Sequence, residues 1–133
     1  IAFPYYSCYH ATKWAVDGFS ESLAFELRPH GIGVKIIEPG PIKTEFYDRS
    51  EDQPPAEKLA TYSGHFRKTY ARMRGVGMKA PGPEIVADAI WQAATENRWR
   101  LRISPNAQMI LAMRRLVGDT LFHRGVRRVL RTG

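Results

Sequence analysis

A β-branched run halted by consecutive backbone breakers is the feature that most restricts what this chain can fold into. Val34-Lys35-Ile36-Ile37-Glu38 runs directly into Pro39-Gly40-Pro41, so a strand is predicted over residues 34–38 with an abrupt stop at its carboxyl end. Ahead of it, residues 9–29 predict one helix. Val16, Phe19, Leu23 and Leu27 recur at spacings of 3, 4 and 4 and line one face, and Pro29 and Gly31 end it. A second stripe on that helix, Ala11, Ala15, Gly18 and Ser22, is small throughout, which implies that another helix, within or between subunits, can approach closely. A helix followed at once by such a strand is half of an alternating pattern and argues for an α/β fold with parallel strands. Ligands of such sheets bind beyond the carboxyl end of the strand, which is where residues 39–44 lie.

Further along, Pro54-Pro55 predicts the start of a helix carrying Leu59, Tyr62, Phe66, Tyr70 and Met73 on one face, closed by Gly75, Gly77, Pro81 and Gly82. Pro83 suits the first turn of the next helix, whose buried stripe is Ile85, Val86, Ala89, Ile90 and Ala93, ending near Asn97. A short strand over Trp99 to Ile103 follows, then two helical stretches, Ala107 to Val117 and Thr120 to Leu130, separated by Gly118. The expected organisation is an α/β body over residues 1–104, with a helical insert at about 45–82, and a helical extension over 105–133.

Composition narrows the function classes. With 44% hydrophobic residues the chain can form a core. The single Cys8 excludes an internal disulfide framework and a multi-cysteine metal site, and fits a reducing compartment, so a cytoplasmic location and no metal are expected. No run of about 18 apolar residues suggests a transmembrane helix. Nine arginines against Asp119 alone give residues 98–133 a charge of +8, which leaves the first 97 residues near neutral. A neutral body with a basic tail suits an interaction surface better than a wholly nucleic-acid-binding domain, and no nucleic-acid partner is expected. Ile1 runs straight into a dense motif, so the gene is expected to encode residues upstream of it.

The chemistry-bearing pair is Tyr9 and Lys13, four residues apart at the start of the first helix and therefore one turn apart on one face. A phenol titrating at about pH 10 is a poor proton donor near neutrality, and a neighbouring ammonium favours the phenolate, so such a pair can serve as a general acid/base. Tyr-x-x-x-Lys also occurs by chance on many helices. What lifts it above chance is Pro39-Gly40-Pro41-Ile42-Lys43-Thr44, which begins 26 residues after Lys13, about the length of a helix, a turn and a strand.

Taken together, Pro4, Tyr9-His10-Ala11-Thr12-Lys13, Ala15, Leu23, Glu26-Leu27, the Pro-Gly-x-x-x-Thr loop and Pro83-Glu84-Ile85-Val86-Ala87 resemble the C-terminal half of the short-chain dehydrogenase/reductase family, over roughly residues 1–97. The resemblance implies the C-terminal part of a Rossmann-type doubly wound parallel sheet. It implies an oxidoreductase that interconverts an alcohol and a ketone or aldehyde with NAD or NADP. Tyr9 is then the acid/base, and Lys13 hydrogen-bonds the nicotinamide ribose and activates Tyr9. Pro39, Gly40, Pro41, Ile42 and Thr44 line the nicotinamide, the Ile42 backbone reaching the carboxamide and the Thr44 hydroxyl bonding the cofactor. A homo-oligomer is also implied. The family's Gly-rich phosphate loop, its Asn-Asn-Ala-Gly segment and its catalytic serine would all precede Ile1, and Ser7 is too close to Tyr9 to be that serine; residues 1–133 alone are therefore expected to be inactive.

The remaining residues have plainer readings. Cys8 is read as a small buried hydrophobe, and His10, His30, His65 and His123 as structural or solvated. Phe46, Tyr47, Tyr62, Phe66 and Tyr70 either favour an apolar or bulky substrate or simply pack the insert. Met109, Met113 and Leu116, and then Phe122, Val126 and Leu130, form apolar stripes that need cover by the body or a partner subunit, with arginine heads in water; contact with an anionic membrane surface stays open. The competing function is a non-enzymatic association module that uses the small-residue helix and the basic tail.

Overall fold

The computed structural model describes residues 1–45, 60–98 and 100–130, without the side chain of Tyr62. The predicted helix start at Pro54-Pro55, the side chains of Phe46, Tyr47, Leu59, Trp99 and Arg131, and the start of the second strand lie outside the described residues. The chain divides into two units, Ile1–Gly40 with Glu84–Ala107, and Pro41–Pro83 with Gln108–Gly133.

In the first unit, α1 spans Ser7–Leu27 and passes into a 3-10 turn over Arg28–His30. Gly31 stops it: at φ 73° it takes the left-handed conformation that glycine adopts most readily, its N–H bonds Arg28 O at 3.1 Å, and Ile32 N–H reaches back to Leu27 O at 3.3 Å. The strand that follows is shorter than the β-branched run, since β1 covers Ile36–Ile37 only. It pairs in parallel with β2, Arg102–Ile103, in the register Ile36 to Arg102 and Ile37 to Ile103. Between them in sequence, α3 (Glu84–Thr95) starts after Pro83 with Glu84 in its first turn, where the helix dipole favours a carboxylate. At its other end Lys35 Nζ donates to Ala93 O and to Glu96 O, satisfying carbonyls that the helix cannot.

The apolar interior of this unit is thin and made of small residues. Ala89, Ala93 and Ala107 are buried, while Ile85 and Val86 are half-buried and Ile90 is exposed, which removes Ile90 from the predicted stripe. The stripe predicted for α1 also needs correction. Val16 and Phe19 are exposed, and the better-covered face carries Asp17, Ser20, Glu21, Leu23, Ala24 and Leu27. That face meets Arg102 on β2, whose guanidinium donates to Asp17 (Nη1 to Oδ1), to Glu21 (Nη2 to Oε2, 3.0 Å) and to Glu38 just beyond β1 (Nη1 to Oε1, 3.0 Å). Asp17 and Glu21 are one turn apart, so both carboxylates reach one cation. Ala11, Ala15, Gly18 and Ser22 are exposed, and a Cβ on Gly18 would meet nothing within 4 Å.

In the second unit, α2 (Ala60–Met78) runs through Gly75 and Gly77 rather than ending at them, and α4 spans Gln108–Leu130. Phe66 and Thr69 on α2, and Phe122 and Leu130 on α4, are buried where the two helices pack. Phe66 stacks on Tyr70 with ring centroids 5.3 Å apart, and Arg72 Nη1 donates to Val129 O at 2.9 Å. Helix α4 is broken at Gly118, whose φ 67° and ψ 171° lie in a region open essentially to glycine alone. The second apolar stripe, Phe122, Val126 and Leu130, is covered, whereas Met109, Met113 and Leu116 of the first remain exposed, Leu116 to 85%.

Removing the Arg102 cation would leave three carboxylates facing one another. Since each member of the network keeps a quarter to a half of its side chain in water, Arg102→Leu is expected to destabilise the protein by about 1–2 kcal/mol, below the loss for a fully buried pair. The denaturant midpoint of the full-length protein reads this out, and adding Asp17→Asn in the same chain should recover part of the loss.

Candidate active site

Tyr9 and Lys13 are both in the first half of α1, where consecutive turns bring i and i+4 side chains together. The chain enters this helix through a tight Pro4-Tyr5 turn in which Tyr5 has φ 69°, an uncommon conformation for a bulky side chain. The first helical hydrogen bond runs from His10 N–H to Tyr6 O at 2.8 Å. Tyr9 is 44% exposed, and its ring meets Tyr6 edge-on at 6.1 Å and His10 at 5.6 Å between centroids. Lys13 Nζ lies over the Tyr9 ring, 5.4 Å from its centroid, within cation–π range. Thr12 Oγ1 donates to Tyr9 O at 2.7 Å, so the polar side chain between the pair is used by the backbone.

His10 is structural, as expected: its Nε2 accepts the Phe3 N–H at 3.0 Å and its ring is in tilted contact with Phe3. Burial, and after it the positive charge of the amino terminus at Ile1, pulls the His10 imidazole below its ordinary value of 6.5. Cys8 corrects the reading, being exposed on the first turn of α1 rather than buried.

The Pro-Gly loop begins in the first unit. Pro39 and Gly40 follow β1, and Gly40 N–H is shared between Pro105 O at 3.2 Å and the Asn106 side-chain Oδ1 at 2.9 Å. A Cβ on Gly40 would come within 3.0 Å of Oδ1 and 3.3 Å of the Asn106 carbonyl, so the position has little room for any other residue. Pro41, Ile42 and Thr44 belong to the second unit, where Lys43 N–H bonds Pro81 O at 2.8 Å; Ile42 is half-buried and Thr44 exposed. A shallow groove of the first unit, lined by Gly33, Lys35, Ile37, Ile90, Ala93 and Ala94, contains neither Tyr9 nor Lys13. Among the described residues no group of His, Cys, Asp or Glu side chains is arranged to hold a metal ion, and no helix is long and apolar enough to cross a membrane.

Residues 1–55 match the family model described as short chain dehydrogenase. An uncharacterized oxidoreductase of Schizosaccharomyces pombe is 33% identical over 124 residues, which cover 92% of this chain and 51% of that protein. YusZ, an uncharacterized oxidoreductase of Bacillus subtilis, is 39% identical over 97 residues, covering 71% of this chain and 34% of YusZ. The chain belongs to the short-chain dehydrogenase/reductase family. A 3-ketodihydrosphingosine reductase of Bacteroides thetaiotaomicron is a more distant relative, 26% identical over 114 residues, or 84% of this chain and 42% of the reductase. This dehydrogenase/reductase chain thus spans between about a third and a half of the length of these relatives.

Two residues with structural contacts were not singled out from the sequence, Arg102 and Asn106. Arg102 needed knowledge of which helix β2 would lie beside. Asn106 carried a readable signal, since Asn directly after Pro105 at a strand end suits a left-handed turn, and its φ is 52°.

The His10 contact has a defined pH window. Its folded value is lowered, so its contribution to stability is present above the ordinary imidazole value of 6.5 and is lost as pH falls below it. Amide exchange at Phe3, corrected for its intrinsic pH dependence, should lose protection as pH falls below about 6.5, and His10→Gln should abolish that dependence.

Proposed function

We propose that this chain supplies the proton-transfer and nicotinamide-contacting part of an NAD(P)-dependent oxidoreductase that interconverts an alcohol and a ketone or aldehyde. The observation that carries the reading is the one-turn pairing of half-exposed Tyr9 with the Lys13 ammonium over its ring, inside the segment that matches the family model.

The donors present suit the nicotinamide end of such a cofactor. A phenol hydroxyl and an ammonium one turn apart are matched to ribose hydroxyls. When bound, the nicotinamide supplies or removes the hydride at the carbon that bears the oxygen. Tyr9 Oη gives its proton to the carbonyl oxygen in the reducing direction and takes it from the hydroxyl in the oxidising one. Lys13 would hold the ribose, and Pro39, Gly40, Pro41, Ile42 and Thr44 would line the nicotinamide.

In the same reading residues 1–104 form the catalytic body, which includes the insert at about 45–82, the substrate is apolar or bulky, and 105–133 form a basic helical extension. The whole protein is a cytoplasmic homo-oligomer, and the exposed Ala11, Ala15, Gly18 and Ser22 face gives helices room to meet. That face also favours the second reading, an association module without activity.

In the full-length protein Tyr9→Phe should cut kcat by about 10² or more, the usual weight of a positioned general acid/base, with the fold retained by circular dichroism. Near-normal turnover of that variant on a demonstrated alcohol or ketone would remove Tyr9 from the mechanism. Residues 1–133 made alone should show no micromolar affinity for NADH or NADPH in calorimetry, because the strand-to-helix glycine turn that cradles a pyrophosphate is not among them.

A further inference from the structure

The Pro-Gly loop needs an anchor. Pro39 has no N–H, Pro41 has none either, and the one backbone donor between them is Gly40. That donor is shared by two acceptors on the turn after β2: the Pro105 carbonyl at 3.2 Å and the Asn106 carboxamide oxygen at 2.9 Å, the side-chain bond being the shorter. The turn is built to deliver this oxygen. Asn106 has φ 52°, a conformation that asparagine, aspartate and glycine tolerate and other side chains resist, and Ala107 directly behind it is buried, with its N–H bonded to Ser104 O at 3.3 Å. Gly40 is fitted to the same side chain, because a Cβ there would meet Oδ1 at 3.0 Å.

We propose that Asn106 is a positioning residue for the nicotinamide loop: its carboxamide oxygen fixes Gly40, and with it Pro39, at the point where the chain leaves β1. The inference rests on the nicotinamide reading above and adds to it a residue 66 positions away in sequence from the loop it holds. Asn106 itself touches no reacting atom; its effect falls on cofactor affinity and leaves the proton transfer at Tyr9 alone.

Two substitutions in the full-length protein separate the side chain from the turn. Asn106→Asp keeps both an acceptor oxygen and the left-handed conformation; Asn106→Gly keeps the conformation and loses the acceptor. Cofactor Kd is measured by calorimetry with NADH and NADPH, kcat and KM by turnover, and the Gly40 amide by hydrogen exchange, with thermal unfolding confirming that both variants fold. The expected result is that Asn106→Gly raises Kd and KM for the cofactor about tenfold, the weight of one hydrogen bond, leaves kcat within about twofold and speeds Gly40 exchange, while Asn106→Asp stays near wild type in all of these. Wild-type cofactor affinity in Asn106→Gly, or equal impairment of both variants, overturns the role of the carboxamide oxygen while the nicotinamide reading stands. A wild-type protein that binds neither nucleotide overturns both, even where Gly40 exchange still responds to Asn106.

Discussion

A 21-residue helix with no fully buried residue has to be attached by something other than a conventional apolar face, and in α1 the attachment is polar. The Arg102 guanidinium reaches two carboxylates of α1 and one at the end of β1, so a single planar cation ties the helix to both strands of the parallel pair. Its fork geometry makes this feasible where a lysine would not be equivalent, because separate N–H groups can address separate acceptors at fixed angles. Tyr9 and Lys13 ride on the same helix. Whatever fixes the rotation of α1 about its axis also fixes which way the pair faces, and Asp17 is one turn beyond Lys13. The three carboxylates exceed the one guanidinium in charge, and their partial exposure lets water carry the surplus.

Local signals in the sequence were enough for the elements and the motif. Pro29 and Gly31 stop α1 through backbone rules that do not depend on tertiary context, and Gly118 breaks α4 for the same kind of reason. The spacing from Lys13 to Pro39 identified the helix, strand and loop because each has a length set by its own geometry. What local pattern could not convey was which face of each helix is covered. Val16 and Phe19 are apolar yet exposed, while Asp17 and Glu21 turn inward, since their partner lies more than 80 residues later. Thr69 is buried to the same degree as Phe66 although nothing in its type suggests it, and Gly75 and Gly77 continue a helix they were expected to end.

Of the candidate site, the Tyr9–Lys13 pair was legible because both members lie on one helix, and Pro39 and Gly40 because proline and glycine announce a turn. Asn106 was not found as a partner of Gly40, since pairing between segments 66 residues apart follows from strand register, and register in a two-residue parallel ladder leaves almost no trace in the sequence. The edge between what was readable and what was not therefore falls between contacts made within one element and contacts that close a long loop.

The break at Gly118 has a consequence for how α4 can vary. Asp119 stands at the first position of the second half, where the positive end of a new helix dipole favours a carboxylate, and it pairs with Arg114 from the first half across the break. The two halves therefore keep separate angular registers. A residue gained or lost at the break need not rotate Phe122, Val126 and Leu130 away from α2, whereas the same change inside the second half would turn every later side chain by about 100°. Length variation in this tail should concentrate at one peptide, and the glycine there acts as the seam that makes the tail tolerant of it.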